Sequence, residues 1–511
     1  MATMRQLGGL DASFIYNEAP RMPQHIGSFA IYDPSTAPGG KVTFKGILDH
    51  IRTRMMAVPS TYERLVRVPF DYDHPYWVPD PEFDLEFHVR HIALPKPGDW
   101  RQLCIQVARL HARELDLDRP LWEMYIIEGL DNVDGVPPGS FAMVSKTHHA
   151  AIDGVSGAEM IAVIHDLTPD APAPPPAEVP KAEPLPSPYE LMMRAGMNNA
   201  TQPQRFVEFM QRAVPQLQGR SLPQQQAAPA PAPRTRFSAN VTAHRVVEGR
   251  SFDLGEVRRI KSAVPGATVN DAVLAIVAGA LRRYLDAKGE LPAEPLIVMA
   301  PISIRSEEEK GTQGNRVSAM NLPIPTNVAD PLERLRQVHQ TATESKAMAA
   351  AIPASILTDM NQFVPYAVAG LAFRNAAAMG LASSAAPVIN TVVTNVPGPQ
   401  IPLYFAGAEM VRMFGMGPVM DGMGLIHPVF SYNGQIAISV TSCREMMPDP
   451  EFHAECLQAS FDELAEVTRL PAPAAAVTAT PPTRKAPGKK APAKKAPAKK
   501  STAAKRPASR A

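Results

Sequence analysis

The chain has 511 residues, 45% hydrophobic and 20% charged, so it can fill two or three domain cores and is too apolar to be disordered throughout. The formal net charge is +1, but the charges are unevenly distributed. The last 41 residues contain 11 Lys or Arg and no acidic residue. Residues 1–470 therefore contain the other 40 of the 51 basic residues and all 50 acidic residues, a net charge of about −10. Three scattered cysteines exclude a disulfide framework and a zinc ribbon and indicate a reducing compartment.

Apolar spacing in the first 168 residues alternates between strand-like and helix-like patterns. Short continuous or alternating apolar runs predict strands, whereas apolar residues three or four apart predict a helix. The predicted strands cover 26–32, 85–89, 121–127 and 141–147, and a predicted helix covers 100–115. The region therefore reads as a mixed α/β domain.

Proline marks the end of that domain. Nine prolines fall within 169–188, and 215–233 is rich in Gln, Ala and Pro, a composition that neither continues a helix nor fills a sheet. Residues 189–214, between these stretches, have helical composition. We therefore expect 169–235 to be a linker that carries a helix.

The second domain repeats the alternation. A helix is predicted over 269–285, strands over 296–302 and 388–394, and a hairpin where 429–432 and 435–441 flank Asn433-Gly434, a dipeptide that favours a type I′ turn. The expected fold class is α/β, with two domains built on mixed sheets. The expected boundaries are 1–168, the linker 169–235, 236–470, and a disordered Lys/Ala/Pro-rich tail over 471–511.

The densest chemistry lies at His148-His149-Ala-Ala-Ile-Asp153-Gly154, at the end of a predicted strand. A neutral imidazole can accept a proton near pH 7 and return it, so a general base is one interpretation. A structural histidine pair is another. A metal site is a third, although no second cluster of suitable ligands accompanies the pair. If the strand continues through both histidines, only one of them can face a cleft. The chain has no Gly-x-Ser-x-Gly motif to supply a serine nucleophile.

The histidine motif resembles the active-site motif of the CoA-dependent acyltransferase superfamily. The chain around it is similar to the bacterial wax ester synthase/diacylglycerol acyltransferase family over about residues 4–469. Supporting strings occur in the family's order: Leu10-Asp11-Ala-Ser-Phe14, Pro120-Leu121-Trp122, Asn270-Asp271, Pro301-Ile-Ser-Ile-Arg305, Gly314-Asn315 and Asn395-Val-Pro-Gly-Pro399.

This resemblance implies two similar α/β domains that face each other across a channel with the histidine motif at its middle. It implies that His149 is the general base, that His148 supports it, and that Asp153 orients the loop by pairing with a basic group. Gly154 itself would permit a backbone turn or a close approach of substrate. Acyl-CoA would be a substrate, with no further cofactor, no metal and no covalent acyl-enzyme. The expected activity is acyl-CoA:diacylglycerol O-acyltransferase forming triacylglycerol, with wax ester formation from fatty alcohols as a second activity. Acylation of another hydroxyl lipid and a catalytically silent lipid-binding protein are the alternatives.

Other matched positions are expected to bind substrate. Asn270 could donate to the oxyanion of the intermediate, with Asp271 beside it; alternatively, Asn270 caps a helix and Asp271 complements the helix dipole. The remaining candidates, which could instead be a strand entry and a tight turn, are Pro120, Leu121, Trp122, Asn395, Pro397 and Gly398. The five methionines within 410–423 fit either an acyl pocket or a core strand.

The expected location is cytoplasmic, because no run of ~18 apolar residues and no apolar N-terminal stretch of signal-peptide length occur. The basic tail is expected to attach the protein to anionic membranes or lipid droplets, or to bind nucleic acid; a merely solubilising tail is the alternative. The apolar region 363–389 is expected to form one or two amphipathic helices.

Overall fold

The computed structural model describes residues 4–152, 157–175, 184–217, 231–303, 317–349, 363, 370–372, 375 and 386–469. The helices are α1 (Gly9–Asn17), α2 (Phe44–Met55), α3 (Leu85–His88), α4 (Trp100–His111), α5 (Gly157–Ile164), α6 (Pro188–Leu217), α7 (Leu254–Ser262), α8 (Val269–Ala287), α9 (Pro331–Ala349) and α10 (Pro450–Arg469). The strands are β1 (Arg5–Gln6), β2 (His25–Asp33), β3 (Glu63–Val66), β4 (Tyr76–Pro79), β5 (Val89–Ala93), β6 (Trp122–Glu128), β7 (Phe141–His148), β8 (Arg245–Asp253), β9 (Leu296–Ser303), β10 (Val317–Ile324), β11 (Thr391–Pro397), β12 (Tyr404–Phe405), β13 (Ala408–Met416), β14 (Leu425–Tyr432) and β15 (Gln435–Cys443).

The described strands form two large mixed sheets and one small sheet. The first large sheet has the order β12-β13-β2-β7-β6-β5, in which only β5 and β6 run parallel. The second has the order β10-β9-β11-β14-β15-β8, with β11 parallel to both β9 and β14. The small sheet is β1-β4-β3. The predicted α/β fold class with mixed sheets is confirmed.

The second sheet is covered by α8, a helix that is apolar on nearly every side. Its buried residues run almost continuously from Asp271 to Leu285, and the helix packs against α7, α9 and α10. A helix that is apolar all round must be buried on all sides, which explains its place between the sheet and other helices. It begins beside the cavity described below.

The two large sheets meet at β13, a strand from the second half of the chain that belongs to the first sheet. The Gly415 amide donates to the Ser439 hydroxyl of β15 across 3.1 Å. Phe414 packs against β8, where a Cβ on Gly249 would lie 2.8 Å from its ring. Residues 404–416 therefore complete the first sheet and also hold it against the second one.

Most predicted elements occur close to their expected places, but one prediction was wrong. Residues 85–88 form the short helix α3, and the strand begins only at Val89, because Asp84 accepts a hydrogen bond from the Glu86 amide and starts a helical turn. The predicted linker helix is observed as α6.

The methionines at 410, 413, 416 and 423 are buried in the core clusters, as a core strand requires. The described residues include no helix long and apolar enough to cross a membrane. The tail and most of 363–389 lie outside the described residues.

Candidate active site

The strand β7 ends at His148, at the centre of the first sheet. His148 is opposite His25 of β2, and its amide donates to the Leu121 carbonyl across 2.9 Å. Leu121 is fully buried, and the Trp122 indole donates to the Thr61 carbonyl at 2.8 Å. The Pro-Leu-Trp string thus fixes the end of the strand that carries the first histidine.

His149 is the first residue of a 3-10 turn, His149–Ile152, so the strand does not continue through the pair. Its amide donates to the Gln24 carbonyl across 2.9 Å. Its ring stacks on Phe14 of α1, with centroids 3.9 Å apart and planes 11° apart. The Gln24 carbonyl, directly before β2, therefore fixes the backbone of His149, and the Phe14 ring fixes the plane of its imidazole.

The His149 imidazole is neutral at physiological pH. Burial lowers its pKa to about 4, because the desolvated ring cannot easily carry a charge. The Nδ1 atom of the ring is buried and has no hydrogen-bond partner in the described structure. A neutral imidazole is the form that can accept a proton, but the buried Nδ1 is closed to substrate, so Nε2 of this partly exposed ring is the candidate acceptor.

His148 is completely buried and has a defined tautomer. Its Nδ1 atom accepts a hydrogen bond from the Ala150 amide at 3.1 Å, so the proton of the neutral ring is on Nε2. Nε2 lies 3.4 Å from a carboxylate oxygen of Glu18, whose side chain is 9% exposed. The other Glu18 oxygen accepts from the Gln24 amide at 3.2 Å. Glu18 thus contacts His148 directly and reaches the backbone of His149 through Gln24.

Below the pair lies a second layer of buried polar groups. His25 contacts the His111 carbonyl at 2.7 Å, and His111 contacts the Gly417 carbonyl at 3.0 Å. Lys146 donates to the Arg113 carbonyl and lies 3.2 Å from Glu123, and burial lowers its pKa. This layer ties the strands under the histidines to α4 and to the segment after β13.

Asp153 and Gly154, the remaining residues of the motif, lie outside the described residues. Among the residues that are described, no group of three His, Cys, Asp or Glu side chains is placed to hold a metal ion.

The cap of α8 differs from the alternative considered for Asn270. Thr268 is the N-cap: its hydroxyl accepts from the Asp271 amide at 3.2 Å, and the Asp271 carboxylate accepts from the Thr268 amide at 2.8 Å. The expectation that Asn270 caps the helix was wrong, because Thr268 precedes it with a complete capping box. Asp271 is 1% exposed and also contacts His339 at 3.0 Å, so its carboxylate is engaged in the fold.

The structure brings Asn270 together with the Asn395 string. The Asn395 amide donates to the Asn270 side-chain oxygen at 3.4 Å, and both residues line a cavity of about 490 Å³ with Pro397 and Gly398. Gly398 is required by close packing, since a Cβ there would lie 2.3 Å from the Ser431 carbonyl oxygen. The described lining of this cavity does not include His149.

Two cations from different helices also line the cavity. Arg258 of α7 and Lys346 of α9 are exposed, and no described residue forms an ion pair with either. No acidic side chain is among the described lining residues, and the walls are largely apolar, including Leu254, Val269 and Met320. The cavity is therefore suited to a ligand with an apolar or amide portion and an anionic end.

Four contributors to these sites were not identified from the sequence. Glu18 and Gln24 carried no motif of their own, although Glu18 directly follows α1, the helix that contains the opening string. Arg258 and Lys346 resemble ordinary surface cations until the fold places them at one cavity.

Comparison with known proteins identifies the family. Residues 7–273 match the wax ester synthase/diacylglycerol acyltransferase catalytic domain, and residues 313–465 match the C-terminal domain of the same family. The chain belongs to this family. It is accordingly an O-acyltransferase.

Individual relatives agree with this assignment. A Mycobacterium tuberculosis (strain CDC 1551 / Oshkosh) protein, provisionally named a diacylglycerol O-acyltransferase, is 34% identical over 478 residues, covering 90% of this chain and 92% of the relative. The wax ester synthase/diacylglycerol acyltransferase from Marinobacter aquaeolei VT8 superposes with a TM-score of 0.63 at 26% identity, covering 91% of this chain and all of that one.

A more distant likeness concerns the fold alone. The starter condensation domain of rhizomide synthetase, solved with C8-CoA and Leu-SNAC, gives a TM-score of 0.51 at 14% identity, covering 91% of this chain and 95% of that one. The predicted two-domain acyltransferase-like fold agrees with both structural comparisons.

Proposed function

We propose that the enzyme transfers the acyl group of a long-chain acyl-CoA to the hydroxyl of diacylglycerol, forming triacylglycerol, and acylates fatty alcohols to wax esters as a second activity. The observation that supports this most directly is the neutral, partly exposed imidazole of His149 at the end of β7, held by Phe14 and by the backbone contact to the Gln24 carbonyl.

In the proposed reaction, the His149 imidazole takes the proton of the acceptor hydroxyl while that oxygen attacks the thioester carbonyl. The tetrahedral intermediate then expels the CoA thiolate, which receives the proton from the imidazolium. The products are one ester and free CoA, so atoms and charge balance. A pKa of about 4 makes the unliganded ring a weak base, but negative charge that develops beside it in the transition state favours the imidazolium.

His148 and Glu18 position this base. The buried Nε2–H of His148 faces the Glu18 carboxylate, and Gln24 links the same carboxylate to the His149 amide. In this proposal Glu18 does not contact substrate, so its loss would act only by loosening the two histidines. Asp153 and Gly154 remain proposed shapers of the loop.

The cavity beside α8 is the proposed acyl-CoA site. Arg258 and Lys346 would contact the phosphates, and the amides of Asn270 and Asn395 would bind the pantetheine portion. The side-chain oxygen of Asn270 accepts a hydrogen bond from Asn395, so the side-chain NH₂ group of Asn270 can donate to substrate. Two phosphate contacts are worth about 1 kcal/mol or more each at a partly exposed site.

Acyl-pantetheine, which lacks the nucleotide and its phosphates, tests that assignment. We expect the double variant Arg258→Ala/Lys346→Ala to raise the KM for acyl-CoA at least tenfold and to leave the KM for acyl-pantetheine unchanged. Lys45→Ala, an exposed cation on α2, is the matched control. If Asn270→Ala raises the KM, the result supports binding of substrate by Asn270. If it lowers kcat alone, Asn270 instead donates to the oxyanion of the intermediate.

The activity itself is tested with purified protein, labelled long-chain acyl-CoA and separate acceptors: diacylglycerol, a fatty alcohol and a sterol. Triacylglycerol with diacylglycerol supports the proposal. Ester formed only with another acceptor redirects it, free CoA without ester indicates a thioesterase, and no CoA release with any acceptor indicates a silent lipid-binding protein.

We also propose that the enzyme works at the surface of a membrane or lipid droplet. Its basic tail would contribute attraction to anionic lipid, at ~1 kcal/mol per basic residue close to the surface. Duplex DNA is the competing ligand for that tail, and salt should weaken both interactions.

A further inference from the structure

An exposed apolar surface lies where the helix α6 meets the turn before β4. It comprises Phe70, Tyr72, Tyr189, Met193 and Met197, whose exposed fractions are 96%, 53%, 75%, 51% and 62%. We refer to these five residues as the apolar ridge. Tyr189, Met193 and Met197 are spaced four residues apart on α6 and so share one side of the helix, and clusters of exposed apolar side chains mark interaction sites.

The turn that carries Phe70 is held in a costly conformation. Phe70 and Asp71 have φ values of 62° and 51°, a region that costs non-glycine residues about 1–3 kcal/mol each. Arg67 fixes the turn with hydrogen bonds of 2.8 Å and 2.7 Å to the two Asp71 carboxylate oxygens. The result of this strain is that a phenylalanine side chain points almost entirely into solvent.

The turn is attached to α6. The Asn199 side chain donates to the Tyr72 carbonyl across 3.1 Å, and Asn198 contacts the Tyr76 hydroxyl at 3.0 Å. Leu191 and Ala195 of the helix pack in one cluster with Val68. Phe70 and the outer side of α6 therefore belong to one rigid surface.

The most exposed residues on the outer side of α6 are uncharged over three turns, although the side chains of Glu190 and Arg194 beside them are 43% and 29% exposed. The exposed residues between 189 and 200 are Tyr189, Met193, Gly196, Met197 and Ala200. The nearest charges, Glu190 and Arg194, pair with each other at 3.3 Å. A helix that faced only water would carry charged residues on this side.

We propose that the apolar ridge inserts into the surface of a lipid phase. The ridge protrudes, whereas a rigid protein partner is usually met by a complementary pocket or flat surface, and a lipid surface deforms around a single projecting phenylalanine. Tyrosine, phenylalanine and methionine are suited to the interface between headgroups and acyl chains. The choice of lipid as the partner rests on the proposed function, since diacylglycerol and triacylglycerol are located in such a phase.

Charge separates this contact from the one proposed for the tail. Residues 1–470 carry about −10 and are repelled by anionic lipid, so attachment through the ridge must be driven by apolar insertion. Ridge binding is therefore expected on neutral lipid and is insensitive to salt, whereas tail binding needs anionic lipid and weakens in salt.

The test is cosedimentation of the full chain with neutral phosphatidylcholine vesicles at 0.1 M and about 1 M salt, where screening shortens to ~3 Å. We expect binding at both salt concentrations. Phe70→Ser and the double variant Met193→Ser/Met197→Ser should each bind at least tenfold more weakly. The matched control is Leu167→Ser/Val388→Ser, which removes two exposed apolar side chains elsewhere, 66% and 72% exposed, and should bind like the original chain.

Two results would overturn the proposal: ridge variants that bind neutral vesicles as the control does, and an original chain that does not bind them, whether it stays monomeric or dimerises through Met193 and Met197. Acylation of detergent-dispersed substrate, measured in parallel, should be unchanged in every ridge variant. If the original chain does not acylate detergent-dispersed substrate, the proposed function is contradicted. The vesicle-binding result does not depend on that activity and is judged separately.

Discussion

Two of the histidine pairs in the described part of the chain, His148–His149 and His427–His453, differ in what their rings contact. In the second core, His427 of β14 and His453 of α10 are fully buried, with their Nε2 atoms 2.9 Å apart. The other nitrogen of His427 contacts the Thr391 hydroxyl at 3.2 Å. In the first sheet, the partly exposed ring of His149 stacks on Phe14, and its buried Nδ1 has no hydrogen-bond partner, which is also true of Nδ1 of His453.

Burial affects the two pairs alike. It lowers the pKa of both His149 and His453 to about 4, because each ring loses hydration. A depressed pKa therefore does not distinguish a candidate base from a structural histidine. The distinguishing features are the position at a strand end and the partly exposed ring of His149, since the fully buried rings of the second pair cannot meet a substrate hydroxyl.

The largest expected difference between the pairs is in catalysis. His149→Ala should lower ester formation by ~10²–10⁴-fold, because a positioned general base is lost. The melting temperature should change little, since the ring makes no described side-chain hydrogen bond. Ester yield from labelled acyl-CoA and a thermal melt measure both quantities. A mild loss, equal to that of His148→Ala, would remove the catalytic assignment.

The second pair should respond in the opposite way. His453→Ala leaves a cavity and an unpaired His427 nitrogen in the core, which should cost about 2–4 kcal/mol of unfolding free energy. Activity per folded molecule should be retained. Denaturant unfolding, combined with kcat normalised to folded protein, checks this. If the variant were stable but inactive, the second pair would have a chemical role.

A smaller effect is expected at Glu18. Glu18→Gln removes the charge opposite His148 Nε2 but keeps an oxygen for the Gln24 amide. Kcat should fall about tenfold, the equivalent of ~1.4 kcal/mol, with KM unchanged. Glu86→Gln, an exposed carboxylate on α3, is the control. Equal losses for the two variants, or a change in KM alone, would contradict a positioning role.

The smallest expected change is in the pH profile. Because the pKa of His149 is about 4, kcat/KM per folded molecule should stay constant from about pH 7 to about 5.5, where a histidine with the ordinary pKa of ~6.5 would already lose activity.

The stability of the fold must be followed in the same experiment. Unfolded histidines bind protons below about pH 6.5, while His149 and His453 in the folded chain stay neutral until about pH 4. Stability from this source is complete above about pH 6.5 and is lost as the pH falls toward 4. Circular dichroism at each pH separates unfolding from titration, and a decline in kcat/KM near pH 6.5 in fully folded protein would contradict the prediction.

Local sequence signals predicted the elements that depend on local chemistry. The hairpin at Asn433-Gly434 forms with φ values of 42° and 79°, the two positive angles that a type I′ turn needs. The helix starting at Val269 was also predicted, but its cap was not, because Thr268 stood outside the motif that drew attention to Asn270. The strand prediction was wrong at residues 85–88, because the capping Asp84 favours a helical turn there more strongly than the short apolar run favours a strand.

Predictions that needed distant contacts were out of reach. Nothing in residues 404–416 indicates that they pair with β2, nearly 400 positions away, and not with the nearby strands. The contact between Glu18 and His148 joins residues that no shared spacing relates. The histidine motif could be found as a string, but the groups that position it are brought together only by the fold.

The position of β13 also has a consequence for synthesis on the ribosome. Until residues 408–416 have emerged, β2 is an open edge of the first sheet, with unpaired amides and carbonyls beside the strand that ends at His148. The first sheet is therefore completed only after the second half of the chain has been synthesised. A nascent chain that is released earlier exposes the edge of β2, which can pair with other chains. Separate expression of residues 1–168 would yield that same unfinished sheet, with β2 at its open edge.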